Sequence, residues 1–449
     1  MAVSTLLDLE FPAVSGKQVT ARFDGGDITS DCGVLLLAAA DRQLGLIDVI
    51  AASITDRRQS SKVAHDLPTL LRERVFAIAA GYEDANDLDT LRYDPALKLA
   101  CGQAPRSGAS LGSQPTISRL ENCASRKDLM RMGKALASQV VASLPATTKC
   151  VTLDVDAMED PCHGQQEFEF FNAFYDSHCY LPLLLFLTDE DGRQHLLGVL
   201  LRGGKPGNKG VRFMLSYAVQ LLRDRFADLK IVLRADAGFG HDANLRLCDK
   251  LGINYVMGLS GNRRLHMLST DIQMQACCKY TFGKAHWLER GICREFGRIE
   301  YKAGSWDKKR TVIVKAEITR GQLNPRFVVS DLPADDPEEL YKFYCARGDR
   351  ENRIKEFKLD LAGGRTSCHR FLANQFRVIL HAAANVLMGQ IQQAAQNTRW
   401  EKAQAGTLRL RILKVGARVV ESVRRIWLHL SSSYPDREAW YTIHNALRT

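Results

Sequence analysis

The hydrophobic pattern changes character along the chain. Up to about residue 145, apolar positions recur at helical spacing after a short extended start, as in "GVLLLAAADRQLGLIDVIAASI" and "TLLRERVFAIAAG". "SQPTISRLENCASRKDLMRMGKALASQVVASL" reads as a turn followed by helices. Thr116 or Ser118 is the expected N-cap, with Glu121 three residues after Ser118. From about residue 149 the period shortens. "KCVTLDVDAM" alternates as a β-branched strand, and "HCYLPLLLFLTDEDGRQHLLGVLLRGG" reads as two strands joined at "DEDGR". "VRFMLSYAVQLLRDRF" is then a helix, "KIVLRADAGF" a strand, "HDANLRLCDKLG" a helix and "INYVMGLSG" a strand.

Three leading strands followed by alternating helices and strands predict an α/β domain of the ribonuclease-H-like class. The stretch 263–326 breaks the alternation and reads as a β-rich insertion of antiparallel strands, after which "PRFVVSDL" returns to the core. Asp336 is the expected N-cap, and Pro337 opens a long helix through "EELYKFYCARGDRENRIKEFKLD". "RFLANQFRVILHAAANVLMGQIQQAAQ" predicts another long, largely buried helix. The expected domains are a mostly helical N-terminal region (1–145), the α/β catalytic domain (146–395) and a basic helical tail (396–449).

Composition adds a partner class. At 449 residues the chain exceeds the size at which single cores stop growing. Its formal net charge is +10 and its pI about 9.0, which suits a polyanion. About half that charge sits in residues 401–430, where seven Lys and Arg face two Glu. A compact helical region with Arg and Ser/Thr at its turns, Arg119 among them, suits DNA binding and equally suits a packing module. The 12 cysteines include no C-x-x-C pair, so a zinc finger is not expected. They read as reduced thiols of a cytoplasmic protein. The start "MAVSTLLDLEFP" has no signal-peptide pattern, and the apolar runs are far below the roughly 20 residues that span a bilayer.

Three carboxylates then stand out. Asp154 and Asp156, two apart on a predicted strand, share one face. A carboxylate in an apolar strand is costly unless paired or metal-bound, or unless the strand lies at a wet edge. Asp236 ends an apolar strand before a glycine-containing turn, where α/β sheets place ligand groups and where Asp also serves as a helix N-cap. In "YCARGDRENRIKEFK", Tyr344, Arg347, Glu351 and Lys358 fall within about 60° of one helical face. Such a face is either a solvated salt-bridge surface or a reactive one. Two aspartates and Glu351 together can hold two Mg²⁺ ions, with Mn²⁺ as substitute, for in-line displacement at phosphorus. Tyr344, Arg347, Lys355 and Lys358 would then grip phosphates. "LRGGKPGNKG" does not fit G-x4-G-K-[ST], so a nucleoside triphosphatase is not expected.

The spacing Y-x2-R-x3-E-x6-K at Tyr344, Arg347, Glu351 and Lys358 resembles the signature of DDE transposases of bacterial insertion sequences. "LDVDAMEDPCHGQQEFEFFNAFYD", "LRADAGF", "NPRFVVSDL" and "ENRIKEFKLDLAGGRTS" resemble the insertion-sequence thirteen-eighty group. So do "FDGGDITSDCGVLLL", "AAGYEDANDLDTLRYDP" and "SQPTISRLEN", and the similarity runs from about residue 20 to about 390. The resemblance implies a ribonuclease-H-like fold with a helical DNA-binding N-terminal region and a β-rich insertion before the glutamate. It implies metal-dependent cleavage at terminal inverted repeats and strand transfer into target DNA. The catalytic and metal-binding acids carry over as Asp156, Asp236 and Glu351, with Asp154 as the alternative to Asp156. Double-stranded DNA would be the partner, a homodimer the synaptic unit, and the nucleoid the setting. The alternative is an element-derived DNA-binding regulator without cleavage. Met158 replaces a threonine common in the family, and "LRGGKPGNKG" departs from its usual loop. Trp287 and Trp306 lie in the inserted segment, where a ring stacks a flipped base or, more commonly, packs a small core. His163 follows the first strand, where a loop histidine is usually exposed.

Overall fold

The computed structural model describes residues 8–205, 210–282, 291–333 and 335–448, without the side chains of 349–351. The chain divides into two compact units. One comprises Ala124–Leu359 and Gly363–Ala382, the other Met1–Cys123, Asp360–Ala362 and Ala383–Thr449.

The first unit is built on an eight-stranded mixed sheet. Its strands are β1 (Cys150–Ala157), β2 (Leu183–Thr188), β3 (Gln194–Leu200), β4 (Lys230–Ala235), β5 (Asn254–Leu259), β6 (Ile292–Tyr301), β7 (Arg310–Thr319) and β8 (Gln322–Ser330). Their spatial order is β6-β7-β8-β5-β4-β1-β2-β3. β1, β2 and β3 run antiparallel in sequence, while β4 and β5 lie parallel to β1. β1 is therefore central, which removes the wet-edge explanation of its aspartates. Its buried neighbours Val151, Leu153 and Val155 anchor it.

Helices flank this sheet: α1 (Arg126–Ser143), α2 (Val211–Arg225), α3 (Asp242–Leu251), α4 (Arg263–Leu268), α5 (Thr270–Phe282), α6 (Pro337–Cys345), α7 (Gly348–Lys355) and α8 (Phe371–Ala394). α6 packs on the sheet through Leu340 and Tyr341, against Val232 of β4, Val256 of β5, Ile313 of β7 and Val328 of β8. Asp336 caps α6 as expected, accepting from the Glu338 and Glu339 amides.

Two stretches of this unit beyond Leu259 differ from the sequence reading. The inserted segment opens with helices α4 and α5 before its strands begin. Ile272, Ala276 and Tyr280 recur every four residues on α5 and pack on Ala316 and Ile318 of β7. Its three strands extend the main sheet by pairing β8 with β5. The expected long helix after Pro337 ends at Cys345, restarts at Gly348 and passes into a π-helical turn over Glu356–Asp360.

The second unit carries the N-terminal helices, among them Val34–Leu44, Leu67–Ala80 and Gln114–Cys123. The last of these starts earlier than the expected caps. Pro115 sits in its first turn, where a missing amide costs nothing, so Thr116 and Ser118 lie inside the helix. Glu121 pairs there with buried Arg74 at 3.2 Å. The tail is not wholly helical. Ala417–Glu421 and Ile426–Leu430 form an antiparallel hairpin, flanked at its base by the short strand Asp27–Thr29, and the helix Arg437–Ala446 follows. The alternation of "ARVVE", buried at Ala417 and Val419 and exposed at Arg418 and Val420, has strand period.

Candidate active site

The register of β1 and β4 brings the first two carboxylates together. Arg234 lies opposite Asp154 and Ala235 opposite Val155. Asp156 is the next residue on β1 and Asp236 is the first residue after β4, so each follows the last paired position of its strand. Asp236 is not a helix cap, because α3 begins after His241. Its Oδ1 instead accepts the Gly238 amide at 2.8 Å and fixes the turn.

The two aspartates of β1 have different surroundings. Asp154 is buried and ion-paired to buried Arg234 at 3.0 Å. Burial pushes its carboxyl up to about 7, against the charges of Arg234 and Arg347. Asp156 is partly exposed. Its Oδ2 accepts from Arg347 at 2.9 Å and its Oδ1 from the Ala157 amide at 2.8 Å.

Arg234 also explains the break in the long helix. Its guanidinium donates to the Phe343 carbonyl at 2.5 Å and lies over the Phe343 ring, 4.7 Å from the centroid. The Arg347 amide then bonds the Tyr344 carbonyl at 3.1 Å. The helix stops there, and Arg347 turns toward Asp156. The four residues of the Y-x2-R-x3-E-x6-K pattern consequently do not share one continuous helix.

Tyr344 is half-buried beside the same carboxylates. Desolvation raises its hydroxyl pKa, Arg347 lowers it, and Asp236 and Asp156 add to the rise. Gly258 on β5 leaves room for this side chain: a Cβ there would lie 2.6 Å from the Tyr344 hydroxyl and 2.8 Å from the Ala237 amide. Lys358, on the π-helical turn, pairs with Glu159 at 3.3 Å, and Glu159 also accepts from Ser177 at 3.3 Å. Lys355 is exposed on α7. Glu351 lies in the middle of α7, and its side chain is outside the described residues.

The remaining candidates separate. Trp306 is only 5% exposed and packs edge-on against Tyr301, with ring centroids 5.2 Å apart. It forms part of the wall of a 490 Å³ cleft with Ala237, Gly240 and Asn262. Trp287 lies outside the described residues. His163 is exposed, Met158 is buried in the core, and Arg119 is exposed on its helix in the second unit.

Sequence reasoning missed Arg234, Glu159 and Tyr175. After desolvation, Glu159, Asp156 and Asp236 are among the charges that raise the Tyr175 hydroxyl pKa, so this side chain faces the same acidic group. The signal for Arg234 was present: "RAD" on β4 runs beside "DVD" on β1, with opposite charges at the first position of each. Among the described residues no group of three His, Cys, Asp or Glu is gathered as a metal site. Asp156 and Asp236 nonetheless offer hard oxygen donors at the ends of adjacent strands, the donor type that divalent Mg²⁺ takes.

Residues 11–449 match the family described as transposase DDE domain group 1. Among solved structures, the piggyBac transposase synaptic complex with hairpin DNA, determined by cryo-EM, aligns with a TM-score of 0.42 at 12% identity. The alignment covers 94% of this chain and 86% of that one. None of the curated proteins matches.

Proposed function

Because the chain belongs to the transposase DDE domain family, group 1, we propose that it cleaves DNA at the terminal inverted repeats of an insertion sequence and transfers the freed strands to target DNA. The observation that carries this reading is that Asp156 and Asp236 directly follow Val155 and Ala235, the last paired positions of two adjacent parallel strands. The strand order β3-β2-β1-β4-β5, antiparallel then parallel, supports a ribonuclease-H-like core within the sheet. The spacing of Tyr344, Arg347, Glu351 and Lys358 supports the insertion-sequence thirteen-eighty group.

The family generally uses divalent metal ions. In this chain Asp156, Asp236 and Glu351 would hold two Mg²⁺ ions, or Mn²⁺ in their place. Bound there, the ions supply Lewis-acid stabilisation of the attacking and leaving oxygens at phosphorus. Arg347 bonds Asp156, and its planar guanidinium suits a backbone phosphate held at two points. Tyr344 sets the position of Arg347 from the end of α6. Glu159 holds Lys358 near the same face until a phosphate competes for the ammonium. Arg234, neutralised by Asp154, ties α6 to β4 and so fixes where Tyr344 and Arg347 stand. Joining two element ends calls for at least two copies of the chain, and double-stranded DNA is the partner.

The test is cleavage of a duplex carrying the inverted repeats that flank the reading frame. Asp156→Ala, Asp236→Ala and Glu351→Ala should each abolish Mg²⁺-dependent nicking while DNA binding persists. Nicking that survives Asp236→Ala or Glu351→Ala would sink the assignment. Tight binding by the unaltered chain without nicking under any divalent ion would leave a DNA-binding regulator instead.

A further inference from the structure

The first strand of the hairpin Ala417–Glu421/Ile426–Leu430 sorts its side chains by face, and the second is exposed along most of its length. Ala417 and Val419 are buried, whereas Arg418 and Val420 point outward. The cross-strand pairs Arg418–His429 and Val420–Trp427 therefore form one outer face. Trp427 is 51% exposed, and its ring stacks with His429 at 6.5 Å between centroids. Beyond this face the tip presents Arg424 and Arg425, both exposed. Arg425 lies 5.8 Å from the Trp427 ring centre.

A solvated hairpin ordinarily mixes charges of both signs. Here the hairpin's own acid, Glu421, is withdrawn from the outer surface. It accepts from the amides of Arg106 and Ser107 at 2.7 and 3.1 Å and from the Ser107 hydroxyl. The tip is also closed rather than loose. Ser422 and Arg425 exchange bonds: the Ser422 amide and hydroxyl donate to the Arg425 carbonyl, and the Arg425 amide donates to Ser422 Oγ. The third strand flanks only the base, at Ala417 to Val419. The distal half is thus a two-stranded ribbon, anchored through Glu421, with an edge open along Ile426–Leu430.

We propose that this ribbon enters the major groove of duplex DNA. The inference rests on the reading of the chain as a DNA-cleaving protein and names an element that holds the duplex. A two-stranded ribbon fits a groove about 12 Å wide. Arg424 and Arg425 reach the flanking phosphates from the tip, and Arg418 reaches them from the outer face. Trp427 and Val420 fill the groove floor against base edges and methyl groups. Other bases of the tail serve elsewhere. Arg409 bonds the Ala79 carbonyl, and Lys414 pairs with Asp31 at 2.6 Å and covers the Tyr82 ring. Three of the seven bases of residues 401–430, Arg418, Arg424 and Arg425, are exposed on the ribbon.

The experiment measures binding of the full chain to a fluorescein-labelled mixed-sequence duplex of about 30 base pairs across a salt series. Arg424→Ala/Arg425→Ala should weaken binding at least about tenfold. It should also reduce the slope of log K against log salt by about 2, close to 0.9 for each phosphate no longer neutralised. Arg424→Lys/Arg425→Lys should keep the slope, and Trp427→Ala should weaken binding without changing it. All these side chains are exposed, so melting curves should match the unaltered chain. An unchanged slope in the double alanine variant, with the parent binding normally, overturns the ribbon assignment and leaves the cleavage reading intact. A parent chain that binds no duplex overturns both. A Trp427→Ala variant that disperses a dimer in sedimentation while binding DNA as before also overturns it, and makes the open edge an interface between copies.

Discussion

Asp154 and Asp156 stand two residues apart on one strand, and replacing each should produce opposite phenotypes. Asp154 is 1% and Arg234 4% exposed, with a 3.0 Å bond between them. Asp154→Ala leaves the guanidinium buried without its counter-charge, a change that costs about 3–5 kcal/mol. Arg234 would then bond the Phe343 carbonyl alone, and the end of α6 would lose its registration on β4. A domain of this size shifts by roughly 2–4 °C per kcal/mol, so the melting temperature should drop by about 10 °C. Asp154→Asn keeps an acceptor and should lose roughly half as much. Asp156 is about one-fifth exposed and pairs with an equally exposed Arg347. Asp156→Asn should therefore melt within about 1 kcal/mol of the parent. Its cleavage should nevertheless vanish, whereas Asp154→Asn retains measurable nicking at temperatures where it is folded. Thermal melting by circular dichroism and nicking of an inverted-repeat duplex in Mg²⁺ give the two readouts. An Asp154→Ala chain that melts like the parent would refute the buried-pair role. An Asp154→Asn chain that melts normally without nicking, while Asp156→Asn still cuts, would reverse the two assignments.

Other perturbations separate positioning from packing. Arg347→Ala should lower the nicking rate about 10²–10³-fold with little change in melting, and Arg347→Lys should fall between, since it keeps charge without the two-point geometry; equal rates in all three would remove Arg347 from the site. Gly258→Ala places a methyl 2.6 Å from the Tyr344 hydroxyl and should cost about 1–3 kcal/mol while reducing nicking, checked by melting and rate together. In the second unit, burial pushes the Glu73 carboxyl up to about 8. The folded chain then holds a proton that the unfolded chain releases near pH 4, so Glu73 makes stability decline from about pH 4 to pH 8 and level off above. Glu73→Gln keeps an acceptor for the Gly112 amide, now 2.8 Å away. It should gain on the parent by an amount on the order of 2 kcal/mol between pH 5 and pH 8 in urea denaturation, and parallel curves would refute the assignment.

What the chain makes legible from sequence depends on whether the deciding interaction is local. The order of strands and helices from Leu183 to Leu259 follows from period and turn residues and the structure has it, whereas the small antiparallel sheet of Asp160–Pro161, Phe170–Asn172 and Ser177–Tyr180 escapes that reading and splits "HCYLPLLLFL" at Pro182. The caps divide by the same rule. Asp336 bonds the amides of Glu338 and Glu339, whereas the caps expected at Thr116 and Ser118 give way to a helix start at Gln114 and to the ion pair of Glu121 with a distant Arg74. The helical wheel that grouped Tyr344, Arg347, Glu351 and Lys358 assumed an uninterrupted helix. A residue more than a hundred positions upstream, Arg234, takes the Phe343 carbonyl and ends that helix. The grouping survives in part because the break turns Arg347 toward Asp156 rather than away from it. The 80-residue separation of Asp156 and Asp236 acquires meaning only through register. Lys230 pairs with Cys150, also 80 apart, so every residue of β4 meets its counterpart on β1. That relation makes the charges of "RAD" and "DVD" a single design: the inner positions, Arg234 and Asp154, neutralise each other in the core. The outer positions, Asp236 and Asp156, are left as two like charges at the strand ends. Two adjacent carboxylates without a cation between them repel. The guanidinium of Arg347, bonded to Asp156 at 2.9 Å, relieves this at Asp156.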